Sequence, residues 1–163
     1  AVIIGIRAFN VEEALAYKNK ILWKYAATGG NLLIQYNTSR GLKTQELAPL
    51  SLTLSRDRVS NESANVQIIN PKHPILNHPN KITNQDFNGW VQERGLYFPN
   101  QWDEKFIPLL QMNDAGESPK KGALLVANYG KGRLVYTGLS FFRQLPAGVP
   151  GAYRLFFNLI ARP

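Results

Sequence analysis

Cysteine is absent from all 163 residues. That excludes disulfides, thiolate metal sites and a cysteine nucleophile. It leaves the compartment open, because a cysteine-free domain is stable in either redox environment. Histidine is nearly absent too: His73 and His78 are the only two, and each precedes a proline. Acidic residues number 11 against 19 lysines and arginines, so the formal net charge is +8. With so few acids, a carboxylate pair for glycoside chemistry must come from a small set, chiefly Glu93, Asp103 and Glu104. Long apolar runs are missing as well, and none approaches the length that crosses a membrane. The chain opens on Ala1 and a strand-like run, with no Met and no charged leader. The expectation is therefore no signal peptide, and a piece cut from a longer protein.

What is present fits one folded domain. Hydrophobic residues make up 44% and charged residues 18%, a balance that supports a single core. The basic residues are scattered: Lys18, Lys20 and Lys24 on one segment, Arg56 and Arg58 in another, Lys120 with Lys121, and Lys131 with Arg133. No stripe or motif points to nucleic acid, so a solvated basic surface is the reading.

Val2 to Ile6 is a continuous apolar run and reads as a buried strand. Asn10 reads as an N-cap, and apolar residues from Val11 to Ala26 recur with helical spacing. Gly29-Gly30 stops that helix, and Asn31 to Tyr36 is a second strand. Strand, helix, strand predicts a βαβ unit with a parallel sheet. Residues 37 to 61 lack a clear period and read as a long excursion from the strand end. Asn65 to Ile69 alternates as a strand, and the prolines after it mark an extended connector. Thr83 with Asp86 predicts a capped short helix. Lys105 to Leu110, Ala123 to Ala127 and Arg133 to Thr137 read as strands, the last two joined by a hairpin turn at Tyr129-Gly130-Lys131-Gly132. Residues 138 to 151 form a loop, and Ala152 to Ala161 an amphipathic helix.

Catalytic constellations fail one by one. Gly138-Leu139-Ser140-Phe141-Phe142 starts like a nucleophile elbow but lacks the second glycine. A zinc site would need His73 and His78 to converge with Asp57 or Asp86. Gly130-Lys131-Gly132-Arg133 is too short for a phosphate loop and sits in a hairpin. The stretch Phe87 to Trp102 is different. It holds two of the three tryptophans among amides and charges, without helical or strand periodicity, and reads as a recognition loop. In parallel sheets ligands bind beyond the carboxyl ends of strands. The candidate binding rim is therefore Gln35, Tyr36, Asn37, Arg56, Trp90, Gln92, Glu93, Arg94, Tyr97 and Arg143. Core packing competes for Trp90, Tyr97 and Trp102, and turn capping for Asn37.

The order of elements, with Gly29-Gly30-x-Leu32-Leu33-Ile34, His73-Pro74-Ile75-Leu76, Tyr129 to Gly138 and Asn158-Leu159-Ile160, resembles the ThuA-like and class I glutamine amidotransferase-like group. Gly5 to Asn10, Gln35 to Thr38, Ser55 to Val59, Gly89 to Pro99 and Leu145 to Arg154 together resemble the C-terminal region of bacterial PIG-L (LmbE-like) deacetylases. The resemblance implies a three-layer α/β/α fold with a mostly parallel, flavodoxin-like sheet and a C-terminal β-hairpin. It implies a single amidotransferase-like domain over 1–163, shortened at its N-terminus. It also implies a non-catalytic accessory role, binding a glycan or amino sugar or docking on the parent's deacetylase domain. Zinc belongs only to that parent domain, and no cofactor is expected in these residues. A periplasmic or secreted setting follows from the resemblance alone. A sheet edge left bare by the missing elements suggests a homodimer. The alternative is a stand-alone hydrolase acting on a sugar derivative through Glu93 or Ser140.

Overall fold

The computed structural model describes residues 1–161. The main sheet has five strands: β1 (Val2–Ile4), β2 (Asn31–Gln35), β9 (Gly132–Thr137), β8 (Leu124–Tyr129) and β6 (Ile107–Pro108), in that spatial order. β1–β2 and β2–β9 pair in parallel, whereas β9–β8 and β8–β6 are antiparallel. Two antiparallel ribbons stand apart from it. One joins β3 (Leu52–Val59) to β5 (Gly95–Trp102), the other β4 (Val66–Ile68) to β7 (Leu110–Met112).

The helices are α1 (Ala8–Val11), α2 (Ala14–Ala27), α3 (Phe141–Gln144) and α4 (Pro150–Ile160). Only α2 and α4 exceed four residues. The expected mostly parallel, flavodoxin-like three-layer fold is therefore corrected. The protein is mixed α/β, with small sheets that are partly antiparallel. The βαβ start is real, but the hairpin β8–β9 turns the next ladder antiparallel, because a two-residue turn cannot join parallel neighbours.

Alternation along β2 splits the core. Leu33 packs with Val135, Leu124, Leu155 and Leu159, under α4. Leu32 and Ile34 pack with Leu134, Tyr136, Phe9, Ala26 and Leu47, on the side of α1 and α2. Both faces of β2 are dry, which is why its sequence is a continuous apolar run rather than an alternation.

Several other readings shift. The helix expected from Val11 is broken into α1 and α2. Asn10 is no N-cap: it lies inside α1, where its Nδ2 donates to Thr38 O (3.1 Å) and Arg40 O (3.0 Å). The strand expected over Lys105 to Leu110 is divided between β6 and β7, which belong to different sheets. The recognition loop is half a strand: β5 starts at Gly95 and pairs with β3, itself inside the stretch read as an excursion.

Candidate recognition surface at the strand ends

β2 and β9 finish side by side, with Gln35 opposite Thr137. The chain leaves β9 through Gly138, Leu139 and Ser140 and enters α3. The segment 91–97 lies across this exit. Leu96 N–H donates to Gly138 O (2.9 Å) and Ser140 N–H to Arg94 O (3.1 Å). The approach requires glycine at 95, since a Cβ there would lie 2.4 Å from Gly138 O. Gln144 locks the segment from below. Its Nε2 donates to Val91 O (2.9 Å) and its Oε1 accepts from Val91 N–H (2.8 Å).

On this frame the side chains form an aromatic and charged cluster. Tyr36 stacks on Tyr97, with ring centroids 6.3 Å apart and planes 10° apart. Its other neighbour is Phe142, at 5.2 Å. The Arg143 guanidinium lies 4.9 Å over the Phe142 ring and donates from Nε to Glu93 Oε1 (2.5 Å). Arg7 closes the edge, its backbone N–H donating to Tyr36 O (2.8 Å). Burial pushes the Tyr36 phenol's pKa up. The Arg7 charge opposes that, Glu93 adds to it, Arg143 opposes it and Tyr97 adds to it. The phenol therefore stays protonated and remains a hydrogen-bond donor at neutral pH.

The backbone is strained here. Arg7 (φ 55°), Gln92 (φ 66°) and Tyr97 (φ 50°) are, among the described residues, the non-glycine positions at positive φ. All three belong to this cluster or its immediate flank. Each such position costs on the order of 1–3 kcal/mol, and they concentrate at binding and catalytic sites.

The candidate rim thus separates into two groups. Tyr36, Glu93, Tyr97 and Arg143 come together, with Gln92 exposed beside them and Gln35 just below. The other four serve elsewhere or stand apart. Asn37 is fully buried, its Oδ1 accepting from Phe9 N–H (3.0 Å) and its Nδ2 donating to Gln35 O (2.9 Å). Trp90 is buried between Phe87 and Phe141, its Nε1 donating to Asp86 O (2.9 Å). Arg94 is buried as well. Its Nε and Nη2 donate to Ala64 O (3.0 and 2.9 Å), its Nη1 to Phe87 O, and burial lowers its pKa to about 10. Arg56 is exposed in the bulged part of the β3–β5 ribbon, with no hydrogen bond to the cluster among the described residues.

Two members were missed in the sequence. Phe142 occupies the place where a nucleophile elbow has its second glycine. Arg7 follows directly on the run Val2 to Ile6 read as the first strand, a position that the strand-end rule covers.

The arrangement offers little for catalysis. Ser140 is fully buried and its Oγ donates to Glu93 O (2.6 Å), so the hydroxyl proton is spent on the backbone. No histidine touches it among the described residues. The nucleophile–base pair required for acyl transfer is missing there. Nor do the described residues fit a zinc site, since no group of three His, Asp or Glu side chains is close enough to share an ion. Four concavities of about 310–460 Å³ lie on other surfaces, and none is lined by this cluster. The cluster forms a platform outside those four concavities. No described helix is long and apolar enough to cross a membrane.

No family model matches the chain, and no curated protein does. Eight solved chains match it in fold. A cytoplasmic protein from Salmonella typhimurium superposes with a TM-score of 0.59 at 16% identity, covering 99% of this chain and 71% of its own. A second cytoplasmic protein, from Salmonella typhimurium LT2, gives 0.57 at 14% identity, covering 97% and 68%. The β-galactosidase of Rahnella sp. R3 gives 0.55 at 15% identity, covering 99% of this chain but 23% of the enzyme. The chain thus spans about a quarter of that galactosidase, and at these identities the likeness is one of fold alone.

Proposed function

We propose that this domain is a non-catalytic recognition module that binds a sugar ring on the Tyr97 face, beside Arg143 and Glu93. The observation that carries the reading is the aromatic cluster itself. Tyr36 stacked on Tyr97 and tilted against Phe142 is flanked by an Arg143–Glu93 pair and by Arg7, on a strained backbone, with no activated nucleophile. Aromatic faces take the apolar side of a pyranose, and the guanidinium and carboxylate take its hydroxyls. The galactosidase neighbours support the sugar class and the accessory role, because the fold there forms a minor part of a larger protein named for acting on a galactoside. The larger protein here would be the PIG-L-type deacetylase that the sequence resembles, with its zinc held in a separate catalytic domain.

The platform's place outside the four concavities favours a second reading, docking on the parent's catalytic domain. One experiment separates the two. Calorimetric titration with N-acetylglucosamine oligomers, glucosamine oligomers and galactosides should show binding that Tyr97→Ala and Arg143→Ala each weaken about tenfold or more. Failure of all sugars, with capture of the isolated deacetylase domain by the wild type alone, would move the assignment to docking. Failure of both would remove the proposal.

A further inference from the structure

A second site lies at the other end of the central strands. β2 and β9 begin at Asn31 and Gly132, and a cavity of about 320 Å³ opens beside them. That volume is at the lower end for small-molecule sites. Arg133, Lys131 and His73 line it, and no Asp or Glu does.

Arg133 is the informative residue. It is 6% exposed and forms no ion pair among the described residues. Its Nε donates to Asn31 Oδ1 (3.2 Å), and its Nη2 to Leu159 O (3.1 Å) and Ala161 O (2.6 Å). Those carbonyls end α4, so the guanidinium caps that helix and meets the negative end of its dipole. Capping uses one edge of the fork only. Nη1 has no acceptor among the described residues, and Arg133 lines the cavity. A buried cation without a counter-charge is costly, and a bound anion would remove the cost.

His73 is turned to the same task. Its Nδ1 accepts from Ile75 N–H (3.2 Å), which places the proton of the neutral ring on Nε2. Burial, and then the Arg133 charge, hold its pKa below the ordinary histidine value. Lys131 sits exposed on the hairpin turn with no acidic partner among the described residues. Three backbone amides of the glycine-rich wall are already spent: Gly29 N–H donates to Ala26 O, Gly30 N–H to Tyr25 O and Lys131 N–H to Ala27 O. The charged groups left for recognition are side chains.

We propose that this cavity binds the phosphate or carboxylate group of a small organic anion, held by Arg133 Nη1, Lys131 Nζ and His73 Nε2. It is independent of the aromatic platform, which lies at the opposite ends of the same strands.

The test is a titration of the isotope-labelled chain with inorganic phosphate, a hexose phosphate, a hexuronate and the uncharged hexose. The imidazole of His73 and the amides of Asn31, Lys131 and Arg133 are followed by NMR. A saturable shift is expected with the hexose phosphate or the hexuronate and none with the hexose; which of the two anions binds tighter identifies the group recognised. The bound anion should raise the His73 pKa. Lys131→Gln should weaken binding about tenfold, and His73→Asn, which keeps an acceptor for Ile75 N–H, should weaken it too. Tyr97→Ala should leave it unchanged. No saturable shift with any anion below about ten millimolar would overturn the proposal. So would equal binding of the uncharged hexose, or full affinity in both Lys131→Gln and His73→Asn. Inorganic phosphate binding as tightly as the hexose phosphate would overturn the organic part of the ligand.

Discussion

Arg94 and Arg143 lie in adjoining parts of one surface and do opposite things. Arg143 keeps an ion pair and an aromatic face within reach of solvent. Arg94 points inward and ties Ala64 and Phe87 to the start of β5. From the sequence both are simply arginines near aromatics; what separates them is which carbonyls the fold leaves unpaired. Arg94→Ala would strand two buried carbonyl oxygens, and a loss of about 3 kcal/mol in urea unfolding is expected. The positive φ at Gln92 gives a test of the opposite sign. Its side chain is exposed, so Gln92→Gly should relieve strain and stabilise the fold by about 1 kcal/mol. No residue pattern announces that strain, because it arises where segment 91–97 is pinned between β3 and Gly138.

Among the elements, β2, β8, β9 and α4 were legible because each buries a whole face and writes it as a run or a period. β3 and β5 were not. Their ladder slips register between Thr53 and Val59, Pro99 interrupts the donors, and Tyr97 leaves the extended region, so alternation is lost. The segment that looked like a free loop is thus partly a bulged ribbon, and its irregularity is what turns Tyr97 against Tyr36. α4 depends on a contact that its periodicity does not reveal. Gly151 lies so close to the turn at Asn84–Phe87 that a Cβ would sit 1.9 Å from Asp86 O. Backbone cannot yield there as a side chain would. Gly151→Ala should cost about 3 kcal/mol or more and lower the thermal midpoint in calorimetry.

For the molecule as a whole, the β8–β9 hairpin was readable, but the mostly parallel three-layer arrangement expected around it was wrong. A βαβ start argues for parallel pairing, and nothing in Ala123 to Ala127 says that β8 runs against β9 except the short turn between them. Global stability should carry the mark of His73. Its folded pKa is depressed, so the unfolded chain binds more protons in the window just below the ordinary value of about 6.5. Its contribution is present above that value and is lost as pH falls through the folded pKa. Denaturation midpoints of the wild type should drop across that window more steeply than those of His73→Asn.

The β2–β9 ladder joins Asn31 to Arg133, 102 positions apart in the chain. Time is where that separation tells. The hairpin β8–β9 closes locally, but the central ladder must wait for a loop of that size to find its ends. Until it does, the apolar residues of β2 have no partner on one edge and invite association with other chains. Refolding should therefore be slow and sensitive to protein concentration. Amides of β8 should gain protection before those of β2, an order that pulsed hydrogen exchange can read directly.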